Sequence, residues 1–206
     1  MSTNNFKKAS LAAGAVAMMT GTAQAARRNR GVKRLIARIK NSDAATRTKA
    51  WQSAGDVGAP AVQPLAMVMT DDDLEVARAA KRAMWKIVRH TGRPGAVNAK
   101  TVVVAKLCGL LGADQPVSVR REVLWMLSEI GGMRAIRPIA ELLTDKHLRE
   151  DARMALERIP IQRAVQALKA GFEIAPEDFK PNLAQSLRKR GVEVEGYPCV
   201  KLMPTK

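Results

Sequence analysis

The stretch Val119–Gly131 reads VRREVLWMLSEIG, and four other segments of the chain align with it without gaps. In these copies the first, fifth, ninth and twelfth positions are mostly small or apolar, a spacing that places them on one face of an α-helix. The first positions are Thr46, Val76, Val119, Leu148 and Phe179, and the fifth are Ala50, Ala80, Val123, Ala152 and Leu183. The ninth positions are Ala54, Met84, Leu127, Leu156 and Leu187, and the twelfth are Val57, Ile87, Ile130, Ile159 and Arg190. The sequence therefore predicts five copies of one amphipathic helix.

The copies recur at a nearly constant interval. Their second positions, separated by 30, 43, 29 and 31 residues, are Arg47, Ala77, Arg120, Arg149 and Lys180. The long interval contains Thr91–Gly95, a segment rich in helix-breaking residues that a loop can absorb. A second apolar stripe precedes the helix in two copies, as AVQPLA at 61–66 and as AIRPIA at 135–140. Each unit is therefore predicted to be a helical hairpin, and because one hairpin cannot bury its own apolar face, its neighbours must cover it.

The predicted fold is all-α, an α-α superhelix (α-solenoid) of about five hairpins with a short extended C-terminal tail. The sequence resembles the HEAT repeat family, particularly the short repeats of the phycobilisome lyase-like type. The positions that carry the resemblance are the apolar-arginine pairs Val119-Arg120 and Leu148-Arg149, the helix end Ile130-Gly131, and the turn residues Asp71 and Asp145. The resemblance covers about Val32 to Gly191. It implies a superhelix that binds partners, and by itself it implies no reaction.

The N-terminal segment is predicted to be separate from the repeats. Lys7-Lys8 precede an apolar run over 11–19, and the small residues of Ala23–Ala25 follow it, which predicts a signal peptide at 1–25 cleaved after Ala25. We therefore expect a periplasmic or secreted protein. A mitochondrial transit peptide is the alternative, because no acidic residue precedes Asp43. The remaining predicted regions are a basic capping helix at 26–41 that forms the first helix of unit one, the solenoid at 42–191, and the tail at 192–206.

The capping helix is strongly basic. Its apolar stripe, predicted to dock on unit one, is Val32, Leu35, Ile36 and Ile39. The charges would then face outward, where peripheral contact with an anionic membrane is an alternative to simple solvation. Two cysteines, Cys108 and Cys199, lie far apart; in an exported chain they could form a disulfide, although Cys108 lies in an apolar run typical of a buried thiol.

The predicted partner-binding surface lies opposite the core stripe of the second helices. All three tryptophans fall outside that stripe, among arginines and lysines. The predicted binding residues are Arg78, Lys81, Arg82, Trp85, Arg121 and Trp125. Arginine pairs with carboxylates and phosphates, and tryptophan offers a large contact area, so this surface favours an anionic partner. The alternative is that the tryptophans pack between hairpins and the charges are only solvated, which we favour for Trp51.

Catalytic, metal and cofactor sites are not expected. His90 and His147 lack metal-ligand spacing to another suitable residue, and Asp71–Asp73 occurs where helix N-caps are found. The leading hypothesis is a non-enzymatic exported scaffold that binds a protein with an acidic surface. Nucleic-acid binding is the alternative, because the formal net charge is +16. A lyase-like cofactor assembly factor is a third hypothesis, and the oligomeric state is left open.

Overall fold

The computed structural model describes residue 24 and residues 26–198, and within them the chain is helical, with no strand. The predicted cleavage site at Ala25, most of the predicted signal peptide and Cys199 lie outside the described residues. The helices are α1 (26–39), α2 (Ala44–Gln52), α3 (Ala54–Val57), α4 (Val62–Val68), α5 (Leu74–Gly92), α6 (Val97–Gly109), α7 (Val117–Ile130), α8 (Met133–Ala140), α9 (Arg149–Arg158), α10 (Gln162–Ile174) and α11 (Lys180–Lys189).

These helices form five hairpins arranged in two layers. The first-helix layer contains α4, α6, α8 and α10, each in contact with the next, and the second-helix layer contains α2 with α3, then α5, α7, α9 and α11 in the same manner. In the four hairpins from α4–α5 to α10–α11, the two helices also contact each other. Each unit thus packs mainly on its neighbours in sequence, and the predicted all-α solenoid is confirmed.

The core follows the positions predicted from the repeat. All residues at the fifth position have no exposed surface, and those at the ninth position are buried as well. At the twelfth position the three central isoleucines are buried, whereas Val57 and Arg190 in the end units are only partly buried. Arg190 takes the place of an apolar residue because its guanidinium donates to the carbonyl oxygens of Glu157 (2.9 Å) and Ile159 (2.6 Å) at the end of α9.

Ion pairs connect units three and four to the turns of the units that follow them. Arg120 Nη1 lies 3.2 Å from Asp145 Oδ2, and Arg149 Nη2 lies 2.6 Å from an oxygen of Asp178. Within Asp71–Asp73, the Asp73 carboxylate accepts hydrogen bonds from the first backbone N–H groups of α5, at 2.8 and 3.4 Å. The predicted capping role of this acidic run is therefore observed at Asp73.

The helices differ from the idealised repeat where proline or serine interrupts them. The second helix of unit one is broken at Ser53 into α2 and α3. Pro138 lies inside α8, where it cannot donate a backbone hydrogen bond, and the chain continues as a 3-10 turn over Glu141–Thr144. The insertion at Thr91–Gly95 is absorbed partly by the extension of α5 to Gly92.

Both ends of the stack are covered. On α1, Val32, Leu35 and Ile39 belong to the buried apolar core, and Ile36, the fourth residue of the predicted stripe, is partly buried against it. At the other end the described part of the tail, 192–198, lies on the last unit. Arg188 holds it by donating to the carbonyl oxygens of Val194 (2.9 Å) and Tyr197 (2.8 Å). No helix in the described part of the chain is long and apolar enough to cross a bilayer.

Candidate functional site: the cationic face of α5

The exposed face of α5 carries a dense group of cations. The helix buries Val76, Ala80, Met84 and Ile87 against its neighbours, so its charged side chains lie on the opposite face. That face carries Arg78, Lys81, Arg82, Lys86 and Arg89, all of which are exposed. Glu75 in the first turn is the one acidic residue of the helix. We call these five cations, together with Trp85, the α5 face.

Two members of the α5 face were missed by the sequence prediction. Arg89 lies one residue beyond the thirteen-position repeat, and Lys86 lies at its eleventh position, which belongs neither to the core stripe nor to the predicted binding surface. Both follow Arg82 at intervals of four and seven residues, which places them on the same side of the helix. This periodicity, continued past the end of the repeat, would have identified them.

The flank of α5 that faces α7 is bridged by one carboxylate. Lys81 Nζ lies 2.8 Å from Glu122 Oε1, and Trp85 Nε1 donates to Glu122 Oε2 at 3.3 Å. Trp85 is half-buried and packs against the core, so Glu122 fixes the orientation of its indole. The predicted binding residues Lys81 and Trp85 are thus brought together.

Arg121 lies further along the second-helix layer. Its Nε is 3.0 Å from Asp151 Oδ2, and its Nη2 donates to the carbonyl oxygen of His147 at 3.1 Å. Arg78 pairs only within its own helix, at 2.7 Å from Glu75. Several of the predicted cations therefore already have a carboxylate partner, and the surface combines positive and negative charge rather than cations alone.

Each tryptophan contacts a guanidinium. The guanidinium carbon of Arg82 lies 6.0 Å from the ring centroid of Trp51, and that of Arg89 lies 5.3 Å from the centroid of Trp85. Arg158 on α9 lies 6.0 Å from the Trp125 centroid in the same way. These distances are within the range of cation–π attraction.

Two of these three contacts join successive second helices. Trp51 on α2 meets Arg82 on α5, and Trp125 on α7 meets Arg158 on α9. The Trp51 Nε1 atom is buried with no hydrogen-bond partner among the described residues, as expected for an indole that fills a gap between helices. The tryptophans therefore contribute to packing between hairpins. Trp85 and Trp125 nevertheless keep part of their surface exposed.

A shallow cavity of about 260 Å³ lies between the N-terminal halves of α5 and α7. Its apolar lining includes Leu74, Ala77 and Val119, and its polar rim includes the predicted residues Arg78, Lys81 and Arg121. Leu74 is 68% exposed, so its side chain adds accessible apolar surface to the cavity. The arrangement can hold an anionic group beside an apolar one. The other three predicted residues, Arg82, Trp85 and Trp125, do not line this cavity.

Other candidate reactive residues are dispersed. The His90 ring packs against Gly55 so closely that a Cβ at Gly55 would lie 2.9 Å from it, which indicates a packing role. Cys108 is half-buried, and burial raises the pKa of its thiol, so thiolate chemistry is disfavoured there. No group of three or more potential metal ligands occurs within the part of the chain that the structure describes.

Comparisons with known proteins give structural similarity only. No family model matches the sequence, and no curated protein matches it at a significant level. Among solved structures, the chain is similar to a designed armadillo repeat protein in complex with the peptide (KR)4, at 17% identity, 75% coverage of this chain, 80% coverage of that chain and a TM-score of 0.43. It is also similar to computationally designed armadillo repeat proteins for modular peptide recognition, at 18% identity, the same coverages and a TM-score of 0.43. An engineered protein has 22% identity, coverages of 77% and 78%, and a TM-score of 0.40. The HEAT resemblance therefore stays a prediction.

Proposed function

We propose that this protein is a non-enzymatic, exported scaffold of the HEAT type that binds an acidic segment of a partner protein along the α5 face. One observation supports the proposal above others: α5 presents five exposed cations and one acidic residue on a rigid helix. A rigid element holds its side chains in a fixed spacing, so less conformational entropy is lost when a partner binds.

Carboxylates suit this surface for reasons of geometry and charge. Arginine can hold a carboxylate with two parallel hydrogen bonds, and three of the five cations are arginines. The existing pair of Arg78 with Glu75 is exposed on both sides, so it contributes little and can exchange for a partner's carboxylate. Removal of the predicted signal peptide with Lys7 and Lys8 lowers the formal net charge from +16 to +14, which would still accelerate encounter with an acidic protein.

The apolar cavity adds a requirement for the partner. A segment that binds along α5 and α7 would place one apolar side chain beside Leu74 and Val119, with acidic residues on either side for Arg78 and Arg121. The exposed parts of Trp85 and Trp125 offer further contact area. The partner is therefore an acidic segment that contains at least one apolar anchor.

Nucleic-acid binding is the second candidate, because Arg78, Arg82 and Arg89 form a row about 16 Å long at 1.5 Å per residue of helix. A phosphate backbone could follow such a row. However, Arg82, Arg89 and Arg158 lie over the three indoles, so bases could stack on those faces only after the guanidiniums move away. The placement of these guanidiniums over the indoles favours an acidic protein segment over a nucleic acid as the partner.

The test compares binding of a labelled peptide of Glu, Asp and Leu with binding of single-stranded DNA, both by fluorescence anisotropy. The variant R82E/K86E/R89E alters the α5 face. The matched control R30E/K33E/R34E makes the same change in charge on exposed residues of α1. We expect the first variant to weaken peptide binding by about tenfold or more and the control to weaken it by less than about threefold.

Equal losses in both variants would mean that only net charge matters and would contradict binding on α5. Tighter binding of DNA than of the peptide, with a steep decrease as salt rises, would favour the second candidate. Export is tested separately, by sequencing the N-terminus of the protein secreted from an expression host. A mature chain that begins at Ala26 is expected.

A further inference from the structure

A second groove lies in the first-helix layer, between α8 and α10, on the layer opposite the α5 face. Its volume is about 550 Å³, roughly twice that of the cavity between α5 and α7. The floor consists mostly of small side chains, Ala140, Ala167 and Ala170, with Ile136 buried beneath them. Ala140 and Ala167 are only partly buried and Ala170 is exposed, so the groove leaves apolar surface uncovered.

The groove results from small side chains rather than from a wide separation of the helices. At the C-terminal end of α10, a Cβ on Gly171 would lie 2.5 Å from Leu143 Cδ1, so the two units approach very closely there. The lining positions of α10 follow the spacing i, i+3, i+4 and i+7, which places them on one stripe that faces α8. Because Ala167 and Ala170 have small side chains, a space remains between α8 and α10 along this stripe.

The borders of the groove are positively charged. Arg137 and Arg163 flank the apolar floor, and no acidic residue is among those that line it. Arg137 pairs with Glu141 at 3.0 Å, but the two side chains are 91% and 62% exposed, so the pair is weak and exchangeable. No carboxylate of residues 26–198 lies within ion-pairing distance of Arg163. Met133, a large apolar residue that is 65% exposed, borders the same floor.

We propose that the groove between α8 and α10 binds an amphipathic acidic helix of a partner protein. Apolar side chains of that helix fill the space above Ala167 and Ala170, and its flanking carboxylates pair with Arg137 and Arg163. The lining stripe of each helix extends over eight residues, about 10 Å from first to last, which matches two turns of a bound helix with anchors at i, i+3, i+4 and i+7. An apolar floor does not suit a phosphate backbone, and the charged borders require an acidic partner.

This site is independent of the α5 face and goes beyond the function proposed for it. The two surfaces belong to opposite layers of the solenoid, so both can be occupied at once. The protein would then act as an adaptor that holds two acidic segments, one extended along α5 and one helical between α8 and α10.

The probe is a labelled 18-residue peptide with Leu at i, i+3, i+4 and i+7 and Glu on the flanks of that stripe. A second peptide of equal charge has Ser in place of Leu. Binding is measured by fluorescence anisotropy in the full chain and in the R82E/K86E/R89E background, which separates this site from α5. A photoreactive group in the Leu stripe of the peptide maps the residues that it contacts.

Two variants of the protein alter the groove. Ala170→Leu fills it, and because Ala170 is exposed this variant does not disturb the core. Arg163→Glu reverses one charge at the border of the groove.

We expect the Leu/Glu peptide to bind in both backgrounds and to cross-link to residues of α8 or α10. Ala170→Leu and Arg163→Glu should each weaken binding by about tenfold, and the Ser peptide should bind about tenfold less tightly than the Leu peptide. The proposal is overturned if the Leu/Glu peptide does not bind, if it binds only when the α5 face is intact, or if neither substitution changes its affinity. None of those outcomes contradicts binding on the α5 face, because that binding is tested with the peptide of Glu, Asp and Leu and with the R82E/K86E/R89E variant.

Discussion

Arg120 and Arg121 are adjacent on α7 but lie in different environments. Arg120 is 8% exposed, donates through Nε to the carbonyl oxygen of Leu111 at 3.0 Å, and pairs with Asp145 in the next unit. The side chain of Arg121 is 49% exposed where it pairs with Asp151. Because solvent screens the second pair far more than the first, the two residues should contribute differently to stability.

Replacing Arg120 by Met should destabilise the protein by about 2–4 kcal/mol, because a carbonyl and a carboxylate lose their common donor near the core. Arg121→Met should cost less than about 1 kcal/mol. Urea denaturation followed by circular dichroism measures both free energies of unfolding. Equal effects of the two substitutions would show that the burial of Arg120 is unimportant.

Glu157 on α9 joins the last two units through several donors. It accepts hydrogen bonds from Arg153 (2.9 Å), Ser186 (2.7 Å) and Lys189 (2.7 Å), and its side chain is largely buried. Burial is the largest single influence and raises its pKa, but the hydrogen bonds from Lys189 and Ser186 and the nearby positive charges lower the pKa overall. A carboxyl whose pKa is lower in the folded state stabilises the protein above the pKa of the unfolded state, about 4.3 for Glu.

Glu157→Gln should therefore destabilise the protein by about 1–3 kcal/mol at pH 7. The difference between wild type and variant should shrink as the pH falls below about 4.3, because the unfolded chain then takes up a proton at Glu157 that the folded carboxylate, with its lower pKa, binds only at still lower pH. Unfolding in urea at pH 7, 5 and 3 gives the comparison, and the exposed Glu141→Gln is the control. A difference that stays constant over this range would mean that the charge of Glu157 has no role.

The repeat pattern identifies only some of the residues that determine where a helix ends. At the end of α7, a Cβ on Gly131 would overlap the carbonyl oxygen of Leu127, whereas a Cβ on Gly132 would meet nothing within 4 Å. The sequence marked Ile130-Gly131 as the end of the repeat helix, but it could not distinguish the two glycines, since only the path of the chain after the helix decides which one is crowded.

Gly131→Ala should destabilise the protein by about 1–3 kcal/mol, because the overlap is with backbone that cannot move without disturbing α7. Gly132→Ala should change stability by less than about 0.5 kcal/mol. Thermal unfolding of the two variants provides the measurement. A destabilised Gly132→Ala with an unaffected Gly131→Ala would contradict the described path of the chain.

The hairpins could be predicted from the sequence because their core positions repeat at helical spacing, as Ala50, Val123 and Leu183 do. Contacts between hairpins could not be predicted from the sequence, since they depend on how far two neighbouring helices are shifted along their axes. Lys81 and Glu122 are 41 residues apart, across the one irregular interval of the repeat, so no local pattern predicts their pairing. The groove between α8 and α10 was missed for the same reason: alanines on two helices form a cavity only when the helices are neighbours.

At the scale of the whole molecule, stability should be distributed along the stack rather than concentrated in one centre. Each hairpin contacts mainly the preceding and following hairpins, so an inner unit is covered on two sides and an end unit on one. The last unit gains some compensation from the tail, which Arg188 holds against it. Fluctuations that open the chain should therefore begin at the ends.

Leu127 in the third unit and Leu183 in the fifth are both fully buried, which makes them a matched pair for testing this gradient. Leu→Ala at either site removes the same apolar group at a cost of about 2–5 kcal/mol. We expect Leu183→Ala to accelerate amide hydrogen exchange mainly in α10, α11 and the tail, while α5 and α7 keep their protection. Leu127→Ala should instead accelerate exchange across α5, α7 and α9 together. If Leu183→Ala raised exchange uniformly through the chain, the solenoid would unfold as one cooperative unit, and coupling between neighbours would be stronger than the stability of each hairpin.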